Sequence, residues 1–174
     1  MNRDELGKAI REAAYLEGDF LLRSGRRSKY YLDKYRFETQ PRILKALAER
    51  FCEYIQSDTT LIAGAELGGV ALAAATSMEA GLPFVIIRNS KKDYGTGKMV
   101  EGLMTADDRV IMVEDIATTA GQALEAAKVI TDTGATLQRI VAVIDRQEGA
   151  RENVEGAGHR FDALYTSSDL GIAV

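Results

Sequence analysis

Arg109-Val-Ile-Met-Val-Glu-Asp-Ile-Ala-Thr-Thr-Ala-Gly-Gln122 reads as a buried apolar strand over 110–113, a carboxylate pair, a small-residue turn and the start of a helix. Two adjacent carboxylates are costly to desolvate unless hydrogen-bonded, and a diol offers two O–H donors that satisfy both. The Thr118-Thr119-Ala120-Gly121 turn brings backbone N–H groups, two hydroxyls and a helix N-terminus together, a combination suited to a phosphate. The segment therefore reads as a cradle for a sugar phosphate, against the plainer reading of Glu114 and Asp115 as an exposed acidic strand end. No G-x-x-x-x-G-K-[ST] string and no G-x-G-x-x-G after a strand occurs, which argues against a P-loop NTPase and a dinucleotide enzyme.

The flanking sequence supplies the rest of a layered fold. Leu6, Ile10, Ala13 and Ala14 recur at helical spacing over 3–16, and Ile43, Leu44, Leu47, Phe51 and Ile55 do so over 41–56, with Pro41 in the first turn. Further helices read over 70–80 and 121–133, stopped by Gly81 and Gly134. Strands read over 20–22, 28–33, 61–63, 84–87, 137–144 and 161–165. Residues 89–98 read as a mobile polar loop and 147–160 as an exposed one, with Ser167-Ser168-Asp169 capping a terminal turn. Short strands alternating with helices predict an α/β fold: a mostly parallel central sheet flanked by helices, with right-handed crossovers and ligands at the carboxyl ends of the strands. At 174 residues, a single domain over 1–174 is expected.

Composition excludes several classes. Hydrophobic residues at 46% and charged residues at 28% are ordinary for a soluble globular chain. The net charge of −4 argues against a nucleic-acid binder, and no run reaches the length of a membrane span. The lone Cys52 fits a reducing, cytoplasmic setting, the N-terminus does not read as a signal sequence, and no His/Cys cluster suggests zinc.

Gly64, Arg88, Glu114 and Asp145 all lie at predicted strand ends, so four loops are expected to converge on one edge, and the 22–33 segment is a further candidate. Arg88, Lys91, Lys92 and Lys98 against Asp93 give the 88–98 loop a local charge of +3, suited to closing over a polyanion, or simply a solvated basic loop. Leu22-Arg-Ser-Gly-Arg-Arg-Ser-Lys-Tyr-Tyr-Leu-Asp33 combines cations with tyrosines that can pack on a flat ring, or is an exposed hairpin. Gly64-Ala-Glu-Leu-Gly-Gly69 lets backbone approach a phosphate, or is ordinary turn chemistry. In Asp145-Arg-Gln-Glu-Gly149, Arg146 can fork onto a carboxylate ligand, or pair with Glu148 on the surface.

With these motifs in hand, the 109–122 segment resembles the phosphoribosyl-diphosphate signature of the type I phosphoribosyltransferases, with Ala120 where glycine is often found. Within that family the chain is similar, over nearly its whole length, to the members that use orotate. The resemblance rests on Phe20–Asp33 (a small N-terminal hood), the 88–97 catalytic loop and Asp145–Gly149. It implies the type I phosphoribosyltransferase fold, with the hood built mainly from 1–36 plus the C-terminal segment. It also implies transfer of ribose 5-phosphate from 5-phosphoribosyl 1-diphosphate to orotate, giving orotidine 5′-monophosphate and pyrophosphate.

Carried over residue by residue, Lys92, Arg88 and Asp115 are the expected catalytic residues. Phosphoribosyl diphosphate would be held by Arg23, Glu66, Gly68, Gly69, Arg88, Lys91, Lys92, Tyr94, Glu114, Asp115, Ile116, Ala117, Thr118, Thr119, Ala120, Gly121 and Gln122. Orotate would meet Tyr31, Leu32, Thr118 and Arg146. Mg²⁺ is expected to ride on the substrate with no direct protein ligand, and a homodimer with shared active sites is implied. Tyr94 stands where some members carry histidine, Asn89 where some carry a second cation, and Arg23 where lysine is frequent. A nucleotide-sensing regulator on the same fold, or a phosphoribosyltransferase for another base, are the competing readings.

Overall fold

The computed structural model describes residues 1–21, 25, 27–90 and 98–172. The chain runs α1 (Arg3–Ala14), β1 (Tyr15–Leu21), β2 (Arg27–Leu32), α2 (Tyr35–Glu38), α3 (Pro41–Cys52), β3 (Leu61–Ala65) and α4 (Gly68–Ala80). It continues through β4 (Phe84–Ile87), β5 (Val100–Glu101), β6 (Arg109–Ala117), α5 (Gly121–Asp132), β7 (Thr136–Asp145), α6 (Ala150–Gly156) and β8 (Phe161–Thr166). The main sheet has the order β5-β4-β3-β6-β7-β8, and β1 pairs with β2 in a separate antiparallel hairpin. Within the main sheet β4, β3, β6, β7 and β8 are parallel, and β5 returns antiparallel along β4.

The period of two along β6 builds the two faces of this sheet. Ile111 and Val113 face one apolar cluster, with Leu6, Leu47, Phe51 and Leu72 from α1, α3 and α4. Val110 and Met112 face the other, with Ala126, Ala127, Ile130 and Val154 from α5 and α6. A strand covered on both faces must be apolar at every position, which is why Val110–Val113 carries no polar residue.

Several expectations need correction. β6 does not stop at Val113: its pairing with β7 continues through Glu114↔Ala142 to Ala117↔Asp145, so the carboxylate pair lies within the strand. Residues 147–160 are not simply a loop, because α6 packs the buried Ala150 and Val154 under the sheet. A helix of seven residues is too short for its periodicity to stand out. α2 was also unforeseen: it has four residues and buries Phe37 and Glu38. The 41–56 helix ends at Cys52, and residues 167–171 form a hydrogen-bonded turn. The first hairpin strand begins at Tyr15, earlier than its sequence suggests.

α1 opens with a capping box in which Asn2 and Glu5 exchange bonds to each other's backbone N–H groups. Its Arg3 Nη1 donates to Leu164 O at 2.8 Å, and Tyr165 Oη donates to Arg3 O at 2.6 Å. These bonds tie the N-terminal helix to the end of β8. The hairpin is anchored beside it, with Asp33 N donating to Ala14 O at 2.9 Å.

Candidate active site

The connection order reverses between β3 and β6: β3 leads through α4 to β4 on one side, and β6 leads through α5 to β7 on the other. In an open parallel sheet such a reversal leaves a crevice at the carboxyl ends of the two strands. Glu66 follows β3 there, and Glu114 and Asp115 lie near the end of β6. A cleft of about 260 Å³ is lined by Lys34, Glu114, Asp115 and the run 116–123. A larger groove of about 590 Å³ opens between α1 and α3, lined by side chains of both signs (Glu5, Lys8, Glu12, Arg36, Arg42) and away from the carboxyl ends of β3 and β6.

The cradle's geometry follows from one backbone feature. Ala120 adopts left-handed φ 59, ψ 22 and turns the chain directly into α5. The first N–H groups of a helix have no partner within it, so those opening α5 face the cleft with the dipole's positive end. From the other side, Asn153 Nδ2 in α6 donates to Thr119 O at 2.9 Å and fixes the turn's height. Sequence reading missed Asn153 because its helix was read as loop.

The carboxylates sit deeper. Asp115 is 2% exposed; its Oδ1 accepts from the Ile116 N–H, and its Oδ2 lies 2.6 Å from Lys34 Nζ. Glu114 Oε1 accepts weakly from Asp115 N at 3.3 Å, while Glu114 Oε2 is buried and without a hydrogen-bond partner. Burial, and then the adjacent Asp115, push the Glu114 carboxyl well above its usual range. The pair thus presents a carboxyl favouring its neutral form beside one paired with an ammonium. Burial lowers the Lys34 ammonium, but the Asp115 carboxylate more than offsets it and the net shift is upward. Beneath them lies Glu38, 2% exposed and raised to about 8, first by burial and then by Asp115.

The paired glycines have a packing reason of their own. A Cβ on Gly68 would fall 1.4 Å from Asp115 Oδ2, and one on Gly64 would fall 2.2 Å from Gly69 O. Both distances are far inside contact, so glycine is what lets α4 close onto β3 and the Asp115 carboxylate. Next to them Glu66 Oε1 accepts from Asn89 N at 2.7 Å, and Glu66 O accepts from Asn89 Nδ2 at 2.9 Å. Arg88 Nη1 lies 3.8 Å from both Glu66 Oε2 and Glu101 Oε1.

At the end of β7, Arg146 N donates to Ala117 O at 2.9 Å, which brings this arginine against the cradle's first residue. Its Nη2 donates to Tyr30 Oη at 3.1 Å and lies 2.9 Å from Glu148 Oε1. Tyr30 in turn stacks on Tyr15, with ring centroids 5.6 Å apart. Alternation along β2 turns Tyr30 and Leu32 inward and Tyr31 outward. Leu32 is a core residue, and Tyr31 is 45% exposed beside the Phe20 ring. The tyrosine that meets Arg146 is therefore Tyr30.

The structure brings Glu114, Asp115, the 116–122 turn and Arg146 to one edge, with Glu66, Gly68, Gly69 and Arg88 across the crevice from β6. Arg23, Lys91, Lys92 and Tyr94 lie outside the described residues, as does the 91–97 part of the expected loop. Among the described residues, no three His, Cys, Asp or Glu side chains converge to hold a metal.

A phosphoribosyl transferase domain model matches residues 36–159. A relative from Halobacterium salinarum, named orotate phosphoribosyltransferase, is 48% identical over 168 residues, covering 96% of this chain and 95% of its own. The crystal structure of Mycobacterium tuberculosis orotate phosphoribosyltransferase with Fe(III) dicitrate aligns at TM-score 0.88 and 30% identity, over 99% of this chain and 100% of its own. The same enzyme in complex with 5-phospho-α-D-ribosyl 1-diphosphate aligns at TM-score 0.84 and 28% identity, over 99% and 100% of the two chains. The switch-point cleft, the turn opening α5 and Arg146 thus sit on a chain that belongs to the orotate phosphoribosyltransferase family.

Proposed function

We propose that this chain transfers the ribose 5-phosphate group from 5-phosphoribosyl 1-diphosphate to orotate, releasing pyrophosphate and forming orotidine 5′-monophosphate for pyrimidine synthesis. The observation that carries the reading is the position of Arg146: its backbone N–H donates to Ala117 O, one strand from the sugar-phosphate turn, and its guanidinium is held beside it by Tyr30 Oη and Glu148 Oε1. Arginine binds planar carboxylates bidentately, and neither uracil, hypoxanthine nor adenine carries one.

In this mechanism the turn 117–122 takes the 5′-phosphate, and Glu114 and Asp115 take the ribose hydroxyls. The C1′–O bond to the diphosphate breaks as a bond from C1′ to a ring nitrogen of the base forms, so the ribose becomes cationic and the leaving group more anionic. The acidic pair Glu114–Asp115 faces the first charge through its oxygens, and Arg88, Lys91 and Lys92 face the second. Glu66 and the Gly68-Gly69 helix start border the pyrophosphate side, and Arg23 and Tyr94 add donors. Tyr31, Leu32 and Thr118 border the base, with Tyr30 steadying Arg146. No covalent nucleophile is needed.

Mg²⁺ would be carried by the bound substrate and would supply charge neutralisation on the diphosphate. Glu114 and Asp115, which line the cleft and when ionised are acceptors only, would hold the sugar that carries it. The active form is a cytoplasmic homodimer in which the 88–98 loop reaches the partner's site. Mixing Lys92→Ala and Asp115→Ala chains should then restore activity, and verified mixed dimers that stay inactive would refute sharing. The chain forms one domain, with the hood from 1–36 and the C-terminal segment. No described helix is long and apolar enough to cross a membrane.

The direct test incubates the protein with phosphoribosyl diphosphate, Mg²⁺ and each of orotate, uracil, hypoxanthine and adenine. Loss of orotate absorbance alone is expected. Turnover of another base alone would reassign the substrate, and binding without turnover would make the chain a nucleotide sensor.

A further inference from the structure

Lys34 belongs to no motif that the sequence singled out, yet it is the only cation lining the sugar-phosphate cleft among the described residues. It stands at the N-terminal end of α2, whose Phe37 and Glu38 are buried, so its backbone is held by the packing of α2 on α1, α3 and α4. Its side chain crosses from there to the main sheet. There its Nζ reaches 2.6 Å from Asp115 Oδ2, with the Tyr35 ring 5.3 Å from the same ammonium.

The surroundings of Asp115 make that contact consequential. One side is closed by α4, where even a methyl group on Gly68 would overlap Oδ2, and Oδ1 is taken by the Ile116 N–H. Asp115 Oδ2, Glu114 Oε2 and Glu38 Oε1 are all buried without a hydrogen-bond partner among the described residues. Lys34 Nζ, 2.6 Å from Asp115 Oδ2, is the countercharge facing that oxygen. A buried carboxylate without a countercharge would turn away or take up a proton. Lys34 supplies that countercharge and fixes the direction of the carboxylate.

We propose that Lys34 is a positioning residue for ribose recognition: its ammonium, 2.6 Å from Oδ2, holds the buried Asp115 carboxylate against α4 at the edge of the cleft that both residues line. This rests on the reading of Asp115 as a ribose-diol acceptor. It makes the N-terminal end of α2 part of the sugar site.

The experiment measures binding of ribose 5-phosphate and of inorganic phosphate by calorimetry to wild type, Lys34→Met, Lys34→Arg and Asp115→Asn, with thermal unfolding as the control for folding. Lys34→Met should lower the preference for ribose 5-phosphate over inorganic phosphate about tenfold, and Lys34→Arg should restore most of it. In kinetics, Lys34→Met should lower kcat/KM for phosphoribosyl diphosphate and leave KM for orotate unchanged. Equal weakening of both ligands would make Lys34 a direct anion ligand and overturn the proposal, as would an unchanged preference. If Lys34→Met unfolds, Lys34→Gln is read by the same ratio. If Asp115→Asn leaves the preference intact, the ribose-diol reading itself fails.

Discussion

Two strand-to-helix turns lie side by side in this molecule, and they solve opposite problems. β6 leads through Ala120 into α5, and β7 leads through Gln147 into α6; Ala120 and Gln147 are both non-glycine residues at φ 59. Each turn follows a buried aspartate, Asp115 at 2% and Asp145 at 5% exposure. The second turn satisfies itself: Asp145 Oδ1 accepts from Gln147 N at 2.8 Å, and Gln147 Oε1 accepts from Ser168 N and Oγ. The first leaves Glu114 Oε2 without a hydrogen-bond partner among the described residues, Asp115 Oδ2 against the Lys34 ammonium, and the N-terminus of α5 facing the cleft. A turn closed by its own side chains presents one fixed cation, Arg146. A turn left open presents unmet donors and acceptors that a ligand must satisfy.

The largest effect should come from cutting the two turns' assignments apart. Arg146→Gln removes the fork but keeps a polar side chain, so kcat/KM for orotate should fall by about 10²–10³-fold. KM for phosphoribosyl diphosphate should hold, because the open turn is untouched. Steady-state kinetics with each substrate varied decides it: a comparable loss on both substrates would mean that the turns act as one unit.

Glu38, buried beneath the open turn, predicts a pH signature. Glu38 is held up at about 8 against an ordinary 4.5, chiefly by burial and then by Asp115, with Lys34 opposing. Between those values the folded chain keeps a proton that the unfolded chain releases. Stability should therefore fall as pH rises through that window, by up to about 1 kcal/mol per pH unit, and level off above it. Glu38→Gln removes this contribution and should stabilise the fold at pH 8 by about 1–2 kcal/mol. Denaturant unfolding at several pH values measures both slopes, and parallel curves would show that Glu38 does not hold the proton.

What was legible in the sequence follows the same division. The open turn could be read directly, because its donors are backbone groups of consecutive residues and its acids are neighbours in the chain. The sheet was legible for a similar reason: Val110–Val113 is apolar at every position, as a strand covered on both faces must be. The closed turn was harder. Arg146 was visible, but its supports are Tyr30 and Glu148, and the first lies 116 residues away in sequence. Choosing Tyr30 over Tyr31 depends on which face of β2 meets the sheet, and two adjacent tyrosines do not reveal that. Lys34, Glu38 and Asn153 were missed because they sit on helices of four and seven residues or just before one. Such helices are held by tertiary burial of Phe37 and Val154, so their periodicity is too brief to detect.

The smallest expected effect is also the closest test of the contrast, because it changes the matched φ 59 positions alone. For Ala120→Gly, the left-handed backbone costs alanine about 1–2 kcal/mol. Glycine's added freedom in the unfolded chain returns about 0.4–1 kcal/mol of that. The lost methyl group, 6% exposed against the α5 cluster, offsets the remainder, so net stability should change by less than about 1 kcal/mol. Gln147→Gly relieves the same backbone but also removes the acceptor of Ser168 N and Oγ, and should destabilise by about 1–2 kcal/mol. Paired denaturation curves separate the two. If both glycine variants shift stability alike, the left-handed residue governs each turn, and the side-chain closure of the second is incidental.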